Sequence, residues 1–298
     1  MKKTMKRRAF ISAIAMLIVS AIVLTSSTFA WFSMSKEAQV DNMNLNITTA
    51  DGISISANTH KFGTTVTTSD IIPTDNAGKN LSADADHTNS VPELLAPVST
   101  DMRITDGAHP VFFKGSIKED KNVTLAKVTN EKEGGFVVFD LFVQVSKNET
   151  VKLVGTTVSS DDENVVKAMR LGIVNCGNKE YSSKDAVKTS ASAGATSGAL
   201  WVVDGNASDS TQYIKNTCTR TSINASSANP SISNDTSYIT STQAGSVCKS
   251  ADASGLTFNA NAGVNRIRIY LWVEGQDPDC INDIAGGNFD FNLKLSID

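Results

Sequence analysis

A mainly antiparallel β-sandwich of jelly-roll type, with little helix, is the fold class this 298-residue chain predicts. Three observations predict it. Period-2 alternation of apolar and polar residues is the clearest pattern after residue 30. Aromatic residues make up 6% and charged residues 19% of the chain, while Ser, Thr, Asn and Gly are abundant, a balance that suits turns and half-buried strands better than long amphipathic helices. A hydrophobic share of 40% at this length supports a real core and excludes wholesale disorder.

The chain opens with a short basic stretch, Lys2, Lys3, Lys6, Arg7 and Arg8, and then runs from Phe10 to Phe32 without a charged residue. Those 23 residues would reach about 35 Å as a helix at ~1.5 Å per residue, enough to cross a bilayer. Positive-inside orientation sends everything after them out of the cytoplasm. Thr28 and Ala30 fit the −3 and −1 positions of a signal-peptidase cut, so residues 1–30 read as a signal peptide ending at Ala30, with Trp31 as the first mature residue. The alternative is an anchor retained through residues 10–32, giving a membrane-anchored or pilin-like surface protein; that segment is the only contact with a membrane that the sequence suggests. Beyond residue 30 the chain holds 22 basic against 31 acidic residues, a bias opposite to that of a nucleic-acid binder.

Residues 31–298 read as one sandwich domain. The last segment alternates Phe289, Phe291, Leu293, Leu295 and Ile297 with Asp290, Asn292, Lys294 and Ser296, as a half-buried strand should. Phe139, Leu141, Val143 and Val145 alternate with Asp140, Phe142, Gln144 and Ser146; Ile267, Ile269 and Leu271 alternate with Arg266, Arg268 and Tyr270. Both predict long strands with one wet face. Shorter strands are expected over 43–49, 52–57, 111–115, 122–128, 151–158, 169–174 and 200–203. Asp161, Asp162 and Glu163 ahead of Val165 and Val166 predict one or two turns of helix, since acidic groups favour a helix N-terminus. Residues 182–257 hold 27 Ser or Thr and one strongly apolar island at Leu200 to Val203, which predicts a long decorated insertion within the sandwich, partly mobile, rather than a second core domain. Pro73, Pro92, Pro97 and Pro110 break up residues 58–110.

Four cysteines, Cys176, Cys218, Cys248 and Cys280, all lie in the exported part. An even count in an oxidising exterior allows two disulfides in three pairings. A bridge between Cys218 and Cys248 would close a polar excursion and is worth about 3 to 4 kcal/mol in the loop-entropy model; Cys176 with Cys280 follows by elimination. Four thiols is the rival reading. No two cysteines fall at zinc-site spacing. Glu274, Asp277, Asp279 and Asp283 offer hard oxygen ligands beside Gly275, the donor set of a Ca²⁺ site, although the spacing is not that of an EF-hand and a solvated acidic turn explains it more simply. No other cofactor is suggested.

Catalytic motifs are missing. His60, His87 and His109 sit in polar stretches without paired-ligand spacing, and no nucleophile elbow, P-loop or dinucleotide fingerprint is present. Thr217-Cys218-Thr219-Arg220 faintly echoes a sortase strand but has no base assigned beside the thiol. The reading is therefore of a structural or interaction protein and not an enzyme. If the chain is cut after Ala30, Trp31 and Phe32 become large apolar groups on a terminal arm. Such an arm either tucks into its own sandwich or pairs with an open sheet edge of the next subunit, and head-to-tail strand addition does not close, so it builds filaments. Trp201, in the polar insertion, is the platform a carbohydrate-binding adhesin would use.

The run Thr28-Phe29-Ala30-Trp31-Phe32-Ser33, followed by the alternating 40–47 segment, resembles the TasA and camelysin family of exported Gram-positive proteins. A second patch, Trp272-Val273-Glu274-Gly275-Gln276-Asp277-Pro278-Asp279-Cys280, is similar to a segment of TasA-like proteins. The resemblance covers the two ends of the chain. It implies cleavage after Ala30 by a SipW-type signal peptidase, and a jelly-roll subunit that joins others of its kind in an extracellular biofilm-matrix fibre by donor-strand exchange. Residues 31–46 would be the donor, with Trp31, Phe32, Val40, Met43 and Leu45 as its apolar contacts.

Overall fold

The computed structural model describes residues 40–71, 89–92, 95–100, 102, 104, 110–117, 123–128, 135–177, 198–203, 231–232, 246–248, 252–275, 277, 280 and 287–297. In chain order the elements are β1 (Val40–Thr49), β2 (Ile53–Ser56), β3 (Thr65–Thr67), α1 (Thr68–Ile71), β4 (Phe113–Ile117), β5 (Val123–Lys127), β6 (Val137–Val145), β7 (Glu149–Leu153), β8 (Thr157–Ser159), α2 (Glu163–Ala168), β9 (Met169–Gly177), β10 (Ala199–Val202), β11 (Ser231–Ile232), β12 (Ser246–Cys248), β13 (Thr257–Ala260), β14 (Gly263–Val273) and β15 (Gly287–Ile297). The mainly β class and its largely antiparallel pairing match the expectation.

Alternation builds sheet A, in the order β13-β7-β15-β1-β3, with β8 also paired to β15. Phe289, Phe291, Leu293 and Leu295 point inward and are buried, while Asp290, Asn292 and Lys294 face water. Sheet B, in the order β12-β10-β9-β14-β6-β2, lies opposite. Phe139, Leu141 and Val143 of β6 and Ile267, Ile269 and Leu271 of β14 meet the inner residues of sheet A in one continuous core. Each fully buried Leu, Ile or Phe there is worth about 1.5 to 3 kcal/mol over an exposed one.

The other face of sheet B is not wet, contrary to the sequence reading. Asp140, Phe142, Arg266, Arg268 and Tyr270 are all buried. A second core covers part of this face, made of Val98, Met102, Ile104, Phe112, Val128 and Phe136 against Val138, Val174, Leu200, Tyr270 and Trp272. Phe112 stacks on Phe136 with ring centroids 4.1 Å apart and meets Trp272 edge-on at 5.4 Å, arrangements that suit the ring quadrupoles. Gly172 and Gly198 make room for the layer: a Cβ on either would come within 2.6 Å and 2.3 Å, respectively, of the Met102 Cε atom. The small sheet β11-β5-β4 continues from this layer, with Phe113 exchanging backbone hydrogen bonds with Ser99.

The described parts of the predicted insertion supply strands and core residues to the sandwich. Within 182–257, β10 and β12 are strands of sheet B, and Trp201, Val203, Cys248, Ala253 and Leu256 lie in the main core. The short helix is as expected. Asp162 caps it by accepting from Asn164 N at 2.8 Å, Lys167 pairs with Glu163 one turn away, and Met169 turns extended (ψ 145°) to start β9.

Candidate assembly strand and the residues around it

β1 is the described part of the predicted donor. It runs parallel to β15 from Val40↔Gly287 to Thr49↔Leu295, with a register irregularity between Asp41 and Met43, and antiparallel to β3 over Asn46 to Thr48. Met43, Leu45 and Ile47 point into the core and are buried. On the wet face Asn44 Nδ2 donates to Asp290 Oδ1 at 2.9 Å, and Asn46 Nδ2 donates to Asn292 Oδ1 at 3.3 Å. Thr68 of α1 reaches back to the strand, its Oγ1 accepting from Leu45 N at 2.9 Å. Within one chain, then, Met43 and Leu45 fill their own sandwich. Trp31 and Phe32 lie outside the described residues, as does the cleavage site at Ala30.

First and last strands that run parallel cannot be joined by a hairpin. β1 is held to β15 only by pairing and packing, and its one described covalent link to the frame is the three-residue step Ala50 to Gly52 into β2 of the opposite sheet. Ala50 N donates to Leu295 O at 2.9 Å and Thr49 Oγ1 to Ile53 O at 3.1 Å, so the step is tight. Gly52 has φ +87°, the left-handed region that costs other residues energy.

The C-terminal acidic turn is used internally. Glu274 is fully buried and accepts from the Trp272 indole N–H at 3.1 Å. Asp277 accepts a short bond from the buried Arg170 guanidinium, which also donates to the carbonyls of Lys167 and Met169. Backbone bonds from Glu274 N to Ala168 O and from Gly275 N to Val98 O tie the turn to α2 and to the second layer. With one carboxylate bonded to an indole and another to a cation, this half of the predicted Ca²⁺ set is a structural latch; Asp279 and Asp283 lie outside the described residues. Among the described residues no group of three His, Cys, Asp or Glu side chains could hold a metal ion.

Cys176, Cys248 and Cys280 are buried. Cys176 does not bond to Cys280, and the register explains why. Cys280 donates its N–H to Asp277 O, close to Arg170 at the start of β9, whereas Cys176 sits six residues further along that strand. At ~3.3 Å per residue that is about 20 Å, far beyond disulfide reach. Cys176 Sγ instead donates to Val174 O at 3.7 Å. The other predicted bridge involves Cys218, which lies outside the described residues with the rest of the 217–220 fragment.

Trp201 is fully buried against the core, so it is no ligand platform. His60 is exposed in a turn stabilised by Asn58, whose backbone oxygen lies 2.7 Å from His60 Nδ1; His87 and His109 lie outside the described residues. A set of residues the sequence reading missed is the buried charge cluster on the outer face of sheet B. Asp140 takes Arg266 at 2.8 Å and Arg268 at 3.2 Å, and its own N–H donates to Asn89 Oδ1 at 2.9 Å. A signal was there: Arg266 and Arg268 share their parity with Tyr270 and Trp272, which a wet face would not carry. No family model, curated protein or solved structure matches the chain.

Proposed function

We propose that the chain is an exported structural protein, a jelly-roll subunit or accessory of an extracellular matrix fibre, in which subunits join by strand addition through β1. It carries no catalytic role in this reading, and its partners are the signal peptidase and further copies of itself. The observation that carries the proposal is the attachment of β1. Among the described residues, the first strand packs its apolar side into the sandwich, pairs parallel to the last, and leads into the frame through one short turn. A segment of that kind fits the same groove whichever copy supplies it, because affinity comes from backbone pairing and from apolar residues at alternate positions. The T-x-A-aromatic pattern at residues 28–31 and the basic start support export with cleavage after Ala30.

Electron microscopy of the protein purified from the medium of producing cells, with N-terminal sequencing of the same sample, tests the proposal. Filaments built of chains that begin at Trp31 are the expected result. Monomers at every pH, salt and protein concentration tried would overturn assembly, and chains that keep residues 1–30 at the cell surface would favour an anchored surface protein.

A further inference from the structure

We infer that two side chains of sheet B, Asn175 and Asn265, close the β13 edge of sheet A to strand addition, so that copies of the chain join only at the opposite edge, where β1 lies. The inference rests on the proposed function and adds to it the residues that set where assembly is refused.

Among the described residues β13 has one strand neighbour, β7, so its far side is an edge of the sheet. In an antiparallel pair, alternate residues turn both backbone groups to the partner strand. Leu256 O accepts from Leu153 N at 3.2 Å, and the two-residue period gives Phe258 and Ala260 the same sense. Thr257, Asn259 and Asn261 therefore direct their backbone groups outward, and that is the row to which a guest strand would bond.

Two amides from the opposite sheet occupy this row. Both sit on the inward parity of sheet B, in step with the core residues Ile173 and Ile267, and reach across to β13. Asn265 Oδ1 accepts from Asn261 N at 2.9 Å, and Asn265 Nδ2 donates to Asn261 O at 2.8 Å. One side chain thus makes both of the bonds that a residue of a neighbouring strand would make. It is 1% exposed, and its Nδ2 also lies 3.4 Å from the carbonyl oxygens of Val143 and Gly263, which hold it in place. Asn175 continues the row. Its Nδ2 donates to Asn259 O at 3.2 Å, while its Oδ1 accepts from Gly177 N at 3.2 Å and so fixes which way the amide points. A guest strand would have to break these bonds, and the buried Asn265 amide would have no water to replace them.

The opposite edge is built differently. β3 pairs with β1 only over Asn46 to Thr48, so Val40 to Leu45 have no second strand neighbour among the described residues. Growth in a single line needs such an asymmetry, because a subunit with two receptive edges would also pair edge to edge and branch.

Amide hydrogen exchange on the purified full chain tests the caps, comparing the parent with Asn175→Ala and with Asn175→Ala/Asn265→Ala at several protein concentrations. The outward amides of Thr257 and Asn259 report a strand docked on that edge. In the parent their exchange should not depend on concentration. In the variants protection should rise with concentration, with association through β13 strengthened roughly tenfold in the double variant, the scale of one or two net hydrogen bonds that no longer have to be displaced. Electron microscopy of the same samples should show branched or side-joined fibres where the parent forms single ones. Asn175 is only part-buried, so its single variant keeps the readout should the double variant lose its fold by circular dichroism. Folded variants whose Thr257 and Asn259 amides stay as independent of concentration as the parent's would overturn the inference, as would concentration-dependent protection of those amides in the parent. A parent that never forms fibres would overturn the proposed function, while the β13 amides of the variants would still decide whether the caps hold.

Discussion

The two large sheets share one core and treat their outer faces in opposite ways. Sheet A leaves Asn44, Asp290, Asn292, Lys294 and Asn259 in water, where all but Lys294 share side-chain hydrogen bonds across strands. Sheet B buries Asp140, Arg266, Arg268 and Arg170 beyond the reach of solvent and holds them with one another or with Asp277. The same alternation of apolar and polar letters thus produces a wet face in one sheet and a dry, charged one in the other. The difference teaches that period 2 identifies a strand and its inward face, while the fate of the outward face depends on what the rest of the chain lays over it. It also divides the molecule into a charged, covered face around sheet B and a lighter sheet that carries β1, the strand proposed for assembly.

The sharpest way to break the comparison is to remove the shared acid. Asp140→Ala leaves two guanidinium groups in a dry layer and should cost about 3 to 5 kcal/mol in urea unfolding. Asp290→Ala, its counterpart on sheet A, should stay within about 0.5 kcal/mol. Similar small losses for both would mean that the outer face of sheet B is hydrated.

Packing of the second layer gives the next largest effect. Gly172→Ala drives a methyl into Met102 and should cost about 1 to 3 kcal/mol. Thermal melts of Gly172→Ala, Met102→Ala and the double variant form a cycle, in which Met102→Ala should relieve part of the glycine substitution's cost. Strict additivity of the two would show that Met102 does not sit over Gly172.

On sheet A the effects shrink. Asn46→Ala removes one exposed amide pair and should change stability by roughly 0.2 to 1 kcal/mol, with the fold unaltered by circular dichroism. A loss comparable to that of Asp140→Ala would place Asn46 in a role the wet face does not give it.

The smallest effect is on pH. Hydrogen bonds to Asp252 from the Ser254 side chain and backbone, and from Gly155 N, hold its carboxyl below the ordinary aspartate range. A depressed carboxyl contributes stability above its unfolded value, near 4, and loses it as pH falls through its folded value. Asp252→Asn should therefore be slightly less stable than the parent at neutral pH, with the gap closing in acid. A gap that widened in acid would contradict the assigned bonds.

Much of the frame was legible because each strand buries one face, and burial writes period 2 into the sequence. The strands at 289–297, 139–145 and 267–271 stand where the alternation put them, and Asp162 capped the helix that its neighbours announced. Pairing was not legible: nothing local in 40–49 says that it runs parallel to a segment nearly 250 residues away. Trp201 misled because composition describes a neighbourhood, whereas a single apolar island can still supply a core strand. The partners of Glu274 and Asp277 were not legible, because acidic spacing looks alike whether a metal ion or protein groups stand opposite, here the Trp272 indole and the guanidinium of Arg170, more than a hundred residues before Asp277. The short strands β3 and β12 carry too few residues to show a period at all.

Native-state hydrogen exchange on the purified chain tests the central claim most directly, since it measures whether β1 can leave a frame that stays folded. The account predicts that the β1 amides from Met43 to Thr49 exchange through a partial opening, at a distinctly lower free energy than the amides of β6, β9 and β14, which open only with global unfolding. Equal protection of β1 and β14 at the global limit would contradict it, because a strand that opens only when the whole molecule unfolds cannot be passed from one folded subunit to the next.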